Sequence, residues 1–346
     1  MVMSQSIKIQ KTKHRFGGKT IKFIAQEFLQ GHLNRGQFNR IWALVALLAF
    51  VDVTWLGRNG MSISWPTTVL PLVTTAALLA LGLIYTHIRP DERIAFLVNA
   101  TAALIAYTVV AAVFSYLMVT LRHPLFDKYL VTIDRDLGFD WPTMYGVVKN
   151  HPLLHSTLKI IYGSLAVQMF VVLILLNYRR QFARMREFLW LFVVTSLTCI
   201  VISGFLPTAG AFIYFNVPTH EPYVDIFMAL RDGSMKIIEL NHVQGVVQFP
   251  SFHLAMAVLL VYAMRGRGLW FSALFLLNTL VVLATPAIGG HHLADLIGGA
   301  IITVIVLALM GDPVEIASAV KSANAKKPKA LKASARSSRS LGRVHK

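Results

Sequence analysis

Two short segments hold the residues best suited to chemistry. Phe249-Pro250-Ser251-Phe252-His253 opens one apolar run, and Gly289-Gly290-His291-His292-Leu293-Ala294-Asp295 opens another. In the second segment His291 and Asp295 are four residues apart, so on a helix they share one face. An aspartate so placed can accept the imidazole Nδ1 proton and leave Nε2 free as a nucleophile. In the first segment Pro250 suits a first helical turn, where a missing N–H costs nothing, which puts Ser251 and His253 at a helix amino terminus. Free N–H groups and the positive end of the helix dipole make such a position an anion site, and phosphate is the natural candidate. Metal binding by His253, His291, His292 and Asp295 is an alternative on ligand type alone. His292 should point about 100° away from His291 around the helix and is assigned no chemical role.

These segments have to be positioned by helices that live in lipid. The chain has 346 residues, 55% of them hydrophobic and only 14% charged, with a mean hydropathy of +0.60, far too apolar for a soluble domain of this length. Spanning a bilayer core takes roughly 20 apolar residues, and eight runs qualify: about 41–57, 69–87, 94–121, 157–177, 187–206, 251–264, 268–288 and 291–310. The sixth is short enough to be re-entrant. Charge placement argues that it crosses. Eight Lys and Arg precede residue 41, two lie at Arg89 and Arg93, four fall in 179–186, two are Arg265 and Arg267, and nine follow Asp312, so alternate loops hold 25 of the 33. This is the asymmetry that the positive-inside rule requires, with both termini cytoplasmic. It answers the question raised by the net charge of +17: the basic residues serve the membrane, and no nucleic-acid partner is expected.

The expected fold class is all-α, a polytopic membrane helix bundle of about eight transmembrane helices. Residues 1–40 form a basic cytoplasmic arm, 41–93 two additional spans, 94–312 a six-helix core, and 313–346 a basic, disordered tail that catalysis does not need. Within the arm, 19–30 has apolar residues at helical spacing and could lie along the inner surface. Two long extracytoplasmic loops, about 122–156 and 207–250, contain eight acidic residues, among them Asp127 and Asp134; each is either functional or an ordinary solvated cap. Asp140-Trp141-Pro142 and Tyr214-Phe215 read as interfacial. The single cysteine, Cys199, lies in an apolar run and excludes an internal disulfide.

The Pro-Ser-x-His and His-x-x-x-Asp pair resembles the second and third signature motifs of the type 2 phosphatidic acid phosphatase (PAP2) superfamily. Gly-Gly-His-His-Leu-Ala-Asp, taken with Leu206-Pro207-Thr208-Ala209-Gly210, is similar to the branch containing inositol phosphorylceramide synthase and related bacterial proteins. The resemblance spans about residues 94–310 and implies a mechanism. His291 would attack phosphorus to form a phosphohistidine, Asp295 would orient it, His253 would protonate the departing alkoxide, and Ser251 with the helix amino terminus would hold phosphate oxygens. No cofactor and no metal are implied.

The chain also departs from that pattern. The superfamily's first motif supplies a Lys and an Arg, yet 204–215 contains no basic residue, and Ala284-Thr285 replaces the Ser-Arg pair before the third-motif histidine. Other cations should then meet the phosphate. Arg231 is the first choice, for its forked donors, followed by Lys236, Arg135 and Lys159. The expected function is cleavage of a phosphate ester on a lipid headgroup, at the extracytoplasmic face of a bacterial-type inner membrane. Hydrolysis is placed ahead of transfer to an alcohol, because water is the default acceptor where no acceptor pocket is identified. A transporter or flippase, with the intramembrane Asp52 and Lys159 lining a path, is a third reading. A lipid phosphate or phospholipid is the expected partner, and the oligomeric state is left open.

Overall fold

The computed structural model describes residues 37–219, 221–266 and 268–311. The surface helix expected at 19–30 and the basic tail lie outside them. The described residues form twelve α-helices. Seven are long and apolar enough to cross a membrane: α1 (Gln37–Asn59), α2 (Trp65–Leu83, extended by a π-helical turn, Ile84–Ile88), α3 (Glu92–Val119), α6 (Pro152–Tyr178), α7 (Phe182–Phe205), α11 (Leu269–Ile288) and α12 (Leu293–Met310). The sixth expected span is α10 (Phe252–Ala263), 12 residues long. The expected connectors are themselves helical, with α4 (Asp127–Asp136), α5 (Trp141–Lys149), α8 (Ala211–Tyr214) and α9 (Pro222–Asp232).

Local signals explain where these elements start. The Asp91 carboxylate accepts from the Arg93 and Ile94 N–H groups and caps α3, satisfying donors that the first turn leaves open. The Asp140 side chain caps α5 in the same way.

Helix α10 is the centre of the bundle, packed on α6, α7, α11 and α12. With α3 these make the six-helix core. Helices α1 and α2 pack chiefly on α3 from outside, and hardly any of α2 is buried.

The loops sort into two ends. At one, Asn59 Nδ2 donates to Thr120 Oγ1 (3.4 Å), and strand β1 (Ser62–Ile63) pairs in parallel with β2 (Ile237–Ile238). At that same end the Phe126 N–H donates to the Pro207 carbonyl (2.8 Å) and the Ala211 N–H to the Gly290 carbonyl (2.7 Å). At the other end Phe96 packs on Phe38 and Phe182, and Arg265 pairs with Glu187 at 2.7 Å. The loops grouped by charge in the sequence are thus grouped in space.

Arg265, just past the end of α10, meets the first turns of α7, while the start of α10 lies with the loops at the far end of α7. Helix α10 therefore points from one end of the bundle toward the other. At 1.5 Å per residue it is about 18 Å long against about 36 Å for the 24 residues of α7, so its amino terminus lies below the rim.

Candidate active site

The starts of α10 and α12 lie side by side. The Ser251 N–H donates to the Asp295 carbonyl (2.9 Å), and Gly299 on α12 faces the Ser251 backbone so closely that a Cβ would collide with it. The helix begins two residues later than Pro250 suggests: Ser251 is the N-cap, Phe252 the first helical residue, and Pro250 precedes both. Serine is favoured at that position, yet the Ser251 Oγ caps nothing and, fully buried, has no hydrogen-bond partner among the described residues.

His291 also lies outside its helix, just before the N-cap His292. The expected pair with Asp295 forms nonetheless, with Nδ1 3.3 Å from Oδ2. The same Oδ2 accepts from the His292 N–H at 2.8 Å, so Asp295 fixes both the ring and the turn that carries it. His253 and His291 meet edge to face, with ring centroids 5.6 Å apart and planes at 71°. The other face of His253 stacks on Tyr162 at 4.5 Å, and its Nδ1 is without a partner among the described residues. Burial, then the charge of His292, push the His291 imidazole down to about 3 against an opposing pull from the Gln248 backbone. Its ring is therefore neutral at pH 7, as a nucleophile has to be.

His292, which the sequence leaves without a role, is fully buried between two carboxylates. Its Nε2 lies 3.4 Å from Asp127 and its Nδ1 3.6 Å from Asp134, both carboxylates being buried as well. Burial alone would lower the His292 pKa. Its contacts with Asp127 and Asp134, and the charges of Asp295 and Asp127, outweigh burial and raise it to about 9. The two acids are loop braces rather than solvated caps. Asp127 accepts from the Ala209 and Gly210 N–H groups (both 2.9 Å). Asp134 accepts from Leu293 and Ala294 (3.0 and 2.8 Å), capping α12 from a helix about 160 residues earlier. One imidazolium thus ties α4 to both loops that frame the histidine pair.

Thr208 and Gln248 are buried beside this frame, as is Tyr223, and each has a side-chain oxygen without a hydrogen-bond partner among the described residues. Orphaned polar atoms in a dry interior are costly unless another group satisfies them. The frame is tight here. Gly210 (φ +83°) and Gly290 (φ +67°) touch, and Cβ atoms added to them would stand 3.0 and 2.7 Å from the Tyr223 hydroxyl. Thr208, Tyr223 and Gln248 have no local sequence signal. Only the Leu-Pro-Thr-Ala-Gly turn hints at one of them.

Among the described residues none of the expected phosphate cations has a hydrogen bond or ion pair to His253 or His291. The Arg231 Nη2 donates to the His123 carbonyl at 3.0 Å, while its Nη1 is buried without a partner among the described residues; burial lowers its pKa and the nearby Asp127 charge opposes that. Lys236 lends its carbonyl to the β1–β2 pairing while its side chain is exposed. Arg135, also exposed, lines a cavity of about 250 Å³ with Asp134, Asp140, Trp141 and Phe215. Lys159 pairs with Glu221 at 3.2 Å, its side chain 59% exposed. No three His, Cys, Asp or Glu among the described residues converge as metal donors. Trp141 is not interfacial: it is buried, stacked on Tyr145 and Phe215, because its indole N–H finds the Pro286 carbonyl at 2.9 Å in the last turn of α11.

Two cavities flank the site. One of about 240 Å³ lies between α3 and α7, lined by Tyr107, Ala111, Phe192, Ile200, Val246 and Phe252, and reaches His253. The other, about 400 Å³, is lined by Tyr145, Lys149, His155, Ser156, Thr219 and Glu221, and by Ala287 and Ile288 just before the Gly289-Gly290 turn.

No curated protein and no solved structure matches the chain. The family model described as PAP2 superfamily matches residues 128–309, just over half of the 346 residues and the whole stretch from α4 through both histidine motifs to α12. The chain therefore belongs to the PAP2 superfamily.

Proposed function

We propose that the protein cleaves a phosphate ester carried by a lipid, through a phosphohistidine on His291. The observation that carries this reading is the pair of rings 5.6 Å apart, one buried and held at Nδ1 by Asp295 and the other at the end of an apolar cavity. In the first half-reaction His291 Nε2 forms a bond to phosphorus as the bond to the leaving oxygen breaks. His253 passes a proton to that oxygen, and in the second half takes one from the attacking water or alcohol. Ser251 and the α10 amino terminus offer donors to the phosphate oxygens.

Both half-reactions serve a phosphatase and a phosphotransferase alike. The cavity beside the Gly289-Gly290 turn, which Lys149, His155, Ser156 and Glu221 help to line, is a place where an alcohol acceptor would fit, and it supports ranking transfer level with hydrolysis. The split of basic residues between the two bundle ends supports an extracytoplasmic site in a bacterial-type inner membrane. The test is to turn over a radiolabelled lipid phosphate with the purified protein, quench in alkali and map the label. Label on His291, lost in His291→Ala, is expected. Turnover that persists in His291→Ala, or label on His253, would overturn the assignment.

A further inference from the structure

The short helix α4 has three sides, and one of them is both apolar and exposed. Asp127, Leu130, Val131 and Asp134 are buried against the bundle at the spacing of a single helix face. At about 100° per residue, Tyr129 and Ile133 stand about 110–150° to one side of the middle of that face, and Lys128 and Thr132 by the same angle to the other. The second flank is polar and exposed. On the first, Tyr129 and Ile133 are 60% and 44% exposed, and Leu125 and Leu137, just beyond the helix ends, extend the row at 42% and 56%. Four large apolar side chains in one exposed row mark a contact surface.

Its position says what covers it. Asp134 caps α12, and the Phe126 N–H is held by the Pro207 carbonyl just past α7, so α4 bridges the ends of two helices able to cross a membrane. Both turn apolar side chains outward next to it: Val201 and Phe205 on α7, Ile297 and Ile301 on α12. The row on α4 continues that lipid-facing surface, for the His123 ring, two residues before Leu125, packs on Phe205 at 5.7 Å. The described residues begin at Gln37 and end at Gly311, both at the opposite end of the bundle, so the segments outside them join the chain across the bundle from α4. A helix with one apolar and one polar flank suits the plane of a leaflet surface, its apolar side about 5–10 Å into the boundary of headgroups and acyl chains, a zone that Tyr favours.

We propose that α4 is an interfacial helix whose row of Leu125, Tyr129, Ile133 and Leu137 is sunk in the lipid leaflet at this end of the bundle, and that the leaflet thereby braces the frame around the histidines. Two links lead inward. From the buried face, Asp127 and Asp134 hold His292 and the N–H groups of both framing loops. From the apolar flank, Tyr129 stacks on Phe126 at 4.7 Å, and Phe126 meets Phe249, the residue before the Pro250-Ser251 turn, at 6.3 Å.

The test places one cysteine at a time on α4 of the full-length protein, with the buried Cys199 replaced by alanine, attaches an environment-sensitive dye and reconstitutes the protein in phosphatidylcholine nanodiscs. At Ile133→Cys and at Tyr129→Cys the emission should be blue-shifted, protected from aqueous iodide and quenched most by lipid carrying a nitroxide near the headgroup end of its acyl chain. At Thr132→Cys the dye should report water, with iodide quenching severalfold stronger. Equal iodide quenching on the two flanks would overturn the proposal, and so would protection without quenching by the lipid nitroxide, the mark of a second protein copy on this face. The bracing is read by hydrogen exchange at the Ala209, Gly210, Leu293 and Ala294 N–H groups that Asp127 and Asp134 hold. In nanodiscs Ile133→Asp should speed that exchange severalfold and Thr132→Asp should leave it unchanged, because local opening follows the support lost. Equal rates in the two variants would refute the bracing.

Discussion

Replacing His292 by glutamine tests whether the frame around the site is held by a buried imidazolium. The side chain is fully buried with carboxylates at 3.4 and 3.6 Å, and its pKa is raised to about 9 from an ordinary 6.5. Below pH 6.5 both folded and unfolded chains hold the proton, and the full contribution to stability is present. Between 6.5 and 9 only the folded chain holds it, so stability falls; above 9 the contribution is gone. The gap of about 2.5 pH units at 1.36 kcal/mol each gives about 3 kcal/mol, an upper bound because neither contact is a short hydrogen bond. At about 2 °C per kcal/mol for a chain of this size, wild-type protein should lose about 6 °C in Tm across that window. His292→Gln should start lower, since its carboxylates lose their partner, and should show little of this slope. Asp127→Asn in the same chain should recover part of the loss. The assay is tryptophan fluorescence during heating in detergent, from pH 6 to 9.5. Equal slopes in wild type and His292→Gln would refute the imidazolium.

Three further outcomes are expected. His291→Ala should abolish turnover of lipid and nitrophenyl phosphate esters alike, whereas His253→Ala should lose about 10²- to 10⁴-fold on the lipid and little on the activated ester, whose leaving group needs no proton; equal losses for His253→Ala in steady-state assays would end that division of roles. Gly290→Ala should cost about 1–3 kcal/mol in strain at φ +67° and push on Phe212 and Tyr223, reducing both Tm and kcat; an unchanged kcat in folded protein would show that the Gly210–Gly290 contact does not shape the site. A reporter fused after Gly210 should read extracytoplasmic and one after Gly266 cytoplasmic, and the reverse result would invert the membrane orientation.

His253, His291 and Asp295 are legible in the sequence because their signals are local: each stands at the start of an apolar run, four residues apart or beside a helix-start proline. The apolar runs are legible for the same reason, though α10 is shorter than its run. Helix registers are less so. Ser251 turns out to be a cap and His291 to precede its helix, each one or two residues from where spacing alone put it. Asp127 and Asp134 could not be told from solvated loop acids, because the N–H groups they satisfy belong to segments some 80 and 160 residues away. Tyr223 and Gln248 likewise come together only at the meeting of Gly210 and Gly290. The burial of Trp141 is not legible in the sequence because its N–H partner, the Pro286 carbonyl, is supplied by a distant helix end.

The short α10 gives the protein a fixed ruler. Its amino terminus, and the histidines with it, stand at a set depth below the rim of the longer helices, while the plane of lipid phosphates moves with bilayer thickness, by several ångströms between membranes. In a thinner bilayer that plane sinks toward His253 and His291; in a thicker one the same ester has to be drawn farther inward, at a cost to the lipid's own packing. Turnover in vesicles should then track acyl-chain length even when the headgroup is unchanged.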